Sequence, residues 1–143
     1  MCHKKIVLNF NIRKCIFFTG EFILKQGDMR VMLPTKTYLT MEKEGCLQKD
    51  VFIWVWDATR EWGWIVPKTM PSKVIDLVHN KKALLWSKHF GNNQKFKFDG
   101  KLLISKAYPD HAMASTADGI LAAVPIKDGS ESQFWTLEIG RTF

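Results

Sequence analysis

The side chains able to do covalent chemistry are dispersed along this sequence. Its four histidines (His3, His79, His89 and His111) lie far apart, and of its three cysteines (Cys2, Cys15 and Cys46) only Cys2 stands next to a histidine. No serine-centred nucleophile elbow, glycine-rich phosphate loop or paired Cys/His metal spacing is present. The sequence therefore predicts no enzyme, no resident metal and no cofactor. A sparse, odd set of cysteines also argues for a reducing compartment rather than a disulfide framework. What remains is recognition chemistry. Asp76 interrupts the apolar run Val74-Ile75-Asp76-Leu77-Val78, Trp86 closes the run Ala83–Trp86, and Asn92-Asn93-Gln94 follows. Period-2 alternation puts Asp76 on the outward side of a strand, facing solvent. There it serves a ligand, caps a turn, or pairs with Lys81 or Lys82.

Such residues need a scaffold. A length of 143 residues suits one domain, and 18 aromatic residues (10 Phe, 6 Trp and 2 Tyr) can fill its core. No apolar run reaches the ~18–20 residues of a helical membrane span. Helical periodicity is scarce. Short strand-like runs recur instead, among them Phe22–Lys25, Val51–Trp56, Trp62–Val66, Lys73–Val78, Ala83–Trp86, Gln94–Phe98, Leu102–Ser105, Ile120–Ile126 and Phe134–Ile139. Gly27-Asp28, Asn80, Gly91-Asn92, Asp99-Gly100 and Asp118-Gly119 supply turns between them, and Asp99-Gly100 reads as a hairpin. The fold class is all-β.

The formal net charge of +7 is unevenly spread. Residues 1–27 hold five Lys/Arg and one Glu (+4), and residues 28–143 hold sixteen basic and thirteen acidic residues (+3). The basic N-terminal segment is a candidate polyanion binder, while the rest has the charge of an ordinary solvated surface. Its apolar stretches are short and broken by Arg13 and Lys14, so no signal peptide is read there. The expected location is cytoplasmic, or exported by a non-classical route.

Spacing then gives the organisation. Gln94-Lys95-Phe96 and Gln133-Phe134-Trp135 lie 39 residues apart, each behind two apolar runs. Three units of four short strands follow, over residues 28–64, 65–100 and 101–143. In the first, Arg60-Glu61-Trp62 or Trp62-Gly63-Trp64 stands in the motif's place. Residues 1–27 form an extension. Ile16, Phe17, Phe18, Phe22 and Ile23 predict that it packs partly on the core, or that residues 20–27 supply the opening strand.

This pattern resembles the ricin B-type β-trefoil lectins, with their Gln-x-Trp repeats. The resemblance implies a pseudo-threefold β-trefoil in which Phe96 and Trp135 fill the core and Gln94 and Gln133 tie their loops. It further implies a carbohydrate pocket with Asp76 as hydroxyl acceptor, Trp86 stacked on the sugar's apolar face and Asn93 as a further polar contact. His89, with His79, Lys88 and Asn92, stands at the rim. The third unit offers only Ala114, Pro125 and Ser132 at the matching places. The first has Trp54 or Trp56 for a lesser second pocket. Galactose or N-acetylgalactosamine is the implied ligand, with homo-oligomers as a route to avidity. The alternative is a β-trefoil that binds protein, as a protease inhibitor or adaptor.

Overall fold

The alternating runs form antiparallel strands joined by tight turns. The computed structural model describes residues 5–8, 20–34, 37–43, 53–58, 61–127 and 130–140. Within them lie β1 (Lys5–Leu8), β2 (Gly20–Gln26), β3 (Met29–Met32), β4 (Thr40–Lys43), β5 (Trp54–Asp57), β6 (Trp64–Pro67), β7 (Lys73–Leu77) and β8 (Ala83–Ser87). They continue with β9 (Phe96–Phe98), β10 (Leu103–Ser105), β11 (His111–Ser115), β12 (Leu121–Pro125) and β13 (Thr136–Gly140). Two single-turn 3-10 helices, Asn92–Gln94 and Glu131–Gln133, are the helical elements among the described residues.

Six strands close a ring. β2 pairs with β5, β5 with β6, β9 with β10, and β13 with β2, all antiparallel. The β6–β9 join is the Gly63–Phe96 bridge, and the β10–β13 join is a hydrogen bond from the Trp135 N–H to the Lys101 carbonyl (2.9 Å). Closure leaves no open edge in the barrel. A Cβ on Gly63 would lie 2.4 Å from Ala58 Cβ, so the first crossing of the ring requires glycine there.

Three hairpins, β3–β4, β7–β8 and β11–β12, cover one end. Bridges Tyr38–Leu84, Lys82–Ala122 and Thr40–Ile120 link them cyclically, each hairpin to the next. A six-stranded barrel capped by a triangle of hairpins is a β-trefoil. The core lies on its axis, where Phe22, Leu24, Leu39, Phe96, Leu121 and Trp135 are buried.

The unit boundaries differ from those read in the sequence. Strand, hairpin, strand repeats as β2–β5, β6–β9 and β10–β13, so the first unit opens at Gly20 and closes at Asp57. Gly27-Asp28 is the β2–β3 turn, and a division at residue 28 falls inside a hairpin. Trp62-Gly63-Trp64 opens the second unit rather than closing the first. The first-unit counterpart of Trp135 is Trp54. Trp54 Nε1 donates to the Val31 carbonyl (3.2 Å), as Trp135 Nε1 donates to that of Met113 (2.9 Å). Each ties a closing strand to the hairpin of its own unit. Residues 1–4 and 9–19, including the run at Cys15–Phe18, lie outside the described residues.

Trp54→Phe removes that hydrogen bond and part of the ring from a fully buried site. The expected loss is about 1–2 kcal/mol, readable as a lower urea midpoint with unchanged m-value.

Candidate functional site

The β7–β8 hairpin positions the acid and the ring. Its register pairs Asp76 with Leu84 and Val74 with Trp86. Residues paired across an antiparallel ladder share a face, so Asp76, Leu84 and Trp86 stand on one side. Ile75, Leu77 and Ala83 fill the opposite, core-facing side. A tight turn joins the strands: Lys81 takes φ 64°, and Asn80 Oδ1 accepts the Lys82 N–H at 3.0 Å.

The loop after β8 folds back over this face. Gln94 Nε2 donates to Asp76 Oδ2 (2.8 Å) and to the Ser87 carbonyl (2.9 Å), while its Oε1 accepts the His89 N–H (2.9 Å). Asn93 Nδ2 donates to Asp76 Oδ1 (3.1 Å) and to the Leu77 carbonyl (3.1 Å). His89 Nδ1 accepts the Gly91 N–H (3.0 Å). That bond assigns the neutral ring's hydrogen to Nε2, which lies 3.4 Å from Asp76 Oδ2 and faces it as a donor. Gly91 is needed for the close approach: a Cβ there would lie 2.6 Å from the His89 ring and 2.8 Å from Asn93 Oδ1.

Asp76 is therefore recessed, with 4% of its surface exposed. The expectation that it faces solvent is corrected. Alternation gave its face correctly, but not the loop that covers that face. Nor does it pair with its neighbouring lysines, since Lys81 Nζ lies over the Tyr108 ring (4.8 Å) and Lys82 Nζ over Tyr38 (5.2 Å). Amide donors hold the carboxylate instead.

A cavity of about 490 Å³ opens above it, lined by Asp76, Val78, His79, Trp86, His89 and Asn93, with Tyr108 on a further wall. Trp86 is 58% exposed, its ring on the surface and not in the core. The structure thus brings Asp76, Trp86, Asn93, His89 and His79 together. Lys88 points elsewhere, to Asp57 (3.1 Å), and Asn92 is not in the lining. Tyr108 was missed. It belongs to the next unit, and no spacing within the second unit could have indicated it.

The pocket presents a carboxylate with spare lone pairs, an exposed indole face and an imidazole. Two oxygens offer about four acceptor positions, and the Asn93 and Gln94 amides occupy two of them. This set can accept hydroxyl hydrogens beside an apolar surface. Among the described residues, no three His, Cys, Asp or Glu side chains cluster in a way that could hold a metal ion.

Among the described residues, the other two units lack this set. In the third, Gln133 repeats the lock: Nε2 donates to the Val124 and Pro125 carbonyls (3.2 and 3.1 Å), and Oε1 accepts the Lys127 N–H (2.9 Å). The β11–β12 register, however, puts Ala114 in the place of Asp76 and Val124, rather than Pro125, in that of Trp86. Ser132 stands at the Asn position of a smaller cavity of about 390 Å³. In the first unit, Trp54 and Trp56 are buried in the core, so neither ring can stack on a ligand.

No protein-family model matches the sequence, and no curated protein matches it either. The fold has counterparts among solved structures. A GlcNAcα1-4Gal-releasing endo-β-galactosidase from Clostridium perfringens superposes with a TM-score of 0.74, over 85% of this chain and 32% of its own, at 7% identity. The Polyporus squamosus lectin, bound to the human-type influenza-binding epitope Neu5Acα2-6Galβ1-4GlcNAc, gives 0.71 over 85% and 49%, at 14% identity. The C-half of the earthworm R-type lectin, in complex with GalNAc, gives 0.67 over 84% and 98%, at 10% identity. This chain thus spans about a third of the first, half of the second and nearly all of the third. At such identities the likeness establishes the β-trefoil fold.

Proposed function

We propose that the chain is a carbohydrate-binding module whose main pocket, in the second unit, takes a galactose-type sugar. The observation that carries this is the recessed Asp76 carboxylate beside the exposed Trp86 ring. A pyranose has a polar hydroxyl edge and an apolar C–H face, and this pairing offers a partner for each. Asp76 accepts from two vicinal hydroxyls, Trp86 stacks, and Asn93 and His89 fix orientation. Support comes from the counterparts in complex with GalNAc and with a galactose-containing epitope.

Affinity for one sugar in so open a site is expected at about 0.1–1 mM, equivalent to about 4–5.5 kcal/mol. The test is a glycan array followed by titration with galactose, N-acetylgalactosamine and glucose. Retention of galactose-terminated glycans supports the reading. Silence across the array, together with inhibition of a protease, replaces it with a protein-binding β-trefoil.

Trp86→Ala separates ligand from fold. The residue is already more than half exposed, so the melting temperature is expected to stay within about 2 °C, equivalent to roughly 0.5 kcal/mol. Sugar affinity is expected to fall at least tenfold, about 1.4 kcal/mol. Unchanged affinity in the same calorimetric titration places the sugar elsewhere.

A further inference from the structure

On the barrel wall beside the pocket loop, aromatic rings and lysines interleave. Across the Gly63–Phe96 bridge, Trp62 and Trp64 flank the glycine while Lys95 and Lys97 flank the phenylalanine. Lys106, whose N–H bonds the Lys95 carbonyl (3.0 Å), extends the row. Lys88 and Phe90 join it from the pocket loop. Lys88 and Lys95 Nζ lie 3.9 and 5.5 Å from the Trp64 centroid, and Lys97 and Lys106 Nζ lie 4.8 and 5.7 Å from that of Trp62. Phe90 meets Trp64 edge-on at 5.9 Å. It is 69% exposed and holds φ at 68°, a conformation unfavourable for a bulky residue.

Two of the four lysines have acidic partners, Lys88 with Asp57 (3.1 Å) and Lys97 with Glu61 (2.8 Å). Among the described residues, Lys95 and Lys106 have no carboxylate partner. The wall therefore carries net positive charge on ammonium groups already positioned over rings.

We propose that this wall is a second binding surface, and that its ligand is a sulfated glycan chain. Complementarity of charge calls for an anion. The cations are all lysines, compact point charges that suit a sulfate, whereas planar bidentate recognition of carboxylates favours arginine. Single-stranded nucleic acid binds such surfaces by stacking bases on open rings, but here the ammonium groups stand over the tryptophan faces. Phe90, with Lys88 Nζ 5.9 Å from its ring centroid, is the most exposed ring of the wall and offers apolar surface to a sugar. The choice of a saccharide rests on the sugar-binding reading of the pocket, with which this surface shares the loop from Lys88 to Asn93.

The test uses the full chain, a sulfated heparin-derived oligosaccharide and single-stranded DNA of equal charge, titrated at two salt concentrations. The sulfated oligosaccharide is expected to bind with a steep salt dependence and more tightly than the DNA. The double variants Lys95→Ala/Lys106→Ala and Lys95→Gln/Lys106→Gln, checked by thermal melts, are expected to weaken it at least tenfold at low salt. Both should lower the salt slope by about 1–2. Phe90→Gly is expected to melt no lower than the parent yet bind about threefold more weakly. Free galactose and Trp86→Ala should leave this binding unchanged. Equal or tighter DNA binding, indifference to both lysine pairs, or loss of binding in Trp86→Ala overturns the proposal. A silent galactose array with sulfated binding retained refutes the pocket reading and leaves this surface standing.

Discussion

A chain beginning at Asp28 is expected not to fold, whereas one beginning at Gly20 is expected to fold. The eight residues between these starting points contain β2, which pairs with β3, β5 and β13. They also contain Phe22 and Leu24, both fully buried. Losing a buried phenylalanine and a buried leucine costs about 5–10 kcal/mol by analogy with large-to-small core substitutions. A domain of this size has about 5–15 kcal/mol in all. Deletion also strips two barrel strands of a neighbour and leaves their backbone groups unpaired. A chain beginning at Gly20 loses β1, whose strand partner among the described residues is β13. Circular dichroism and thermal melts of the two chains check this. A cooperative melt from the chain starting at Asp28 would show that the barrel closes without β2.

Asp76→Ala is expected to damage both stability and binding. The carboxylate is the shared acceptor of the Asn93 and Gln94 amides, and its removal leaves each amide nitrogen with a backbone carbonyl as its acceptor. Hydrogen bonds to a charged group contribute about 1.5–3 kcal/mol, and relief from desolvating the carboxylate offsets part of this. A net loss of about 1–2 kcal/mol is expected in denaturant unfolding. Sugar affinity should fall more than tenfold, equivalent to at least about 1.4 kcal/mol, because the acceptor for two hydroxyls is gone. Asp76→Asn does not rescue either property, since its amide brings a donor to a site already crowded with donors. A melt matching the parent would mean that the loop holds itself. Parent-like sugar binding would mean that the ligand sits in another unit.

The second and third units were legible in the sequence because one physical demand recurs in each. A buried glutamine must satisfy both ends of its amide, and Gln94 and Gln133 do so with the same backbone groups of equivalent loops. The first unit escaped because Phe52 stands two residues before Trp54, where the others have glutamine. Its interval to Phe96 is 42 residues instead of 39. Loops outside the barrel can lengthen without disturbing the axis, so counting back from Phe96 by the fixed period stops short of Trp54. Within the pocket, Asp76, Trp86 and Asn93 were legible as an ordered set on one strand–turn–strand–loop stretch. The burial of Asp76 was not, because alternation specifies a face and is silent about what folds across it. Tyr108 was not either, since its approach depends on how neighbouring units sit around the axis.

The closing of the barrel has a consequence for how the chain is made. Its opening strand β2 is sealed by β13, and the Lys25–Glu138 ion pair (3.0 Å) ties residues 113 apart in sequence. During synthesis β2 emerges early and keeps one exposed edge until Thr136–Gly140 has left the ribosome. A nascent chain stalled before that point holds an unsealed sheet with apolar side chains open to other chains. Contacts this distant in sequence put refolding in the millisecond-to-second range typical of such topologies, slower than a helical bundle of equal length. The same seam that completes the barrel thus sets the interval in which the nascent sheet is open to aggregation.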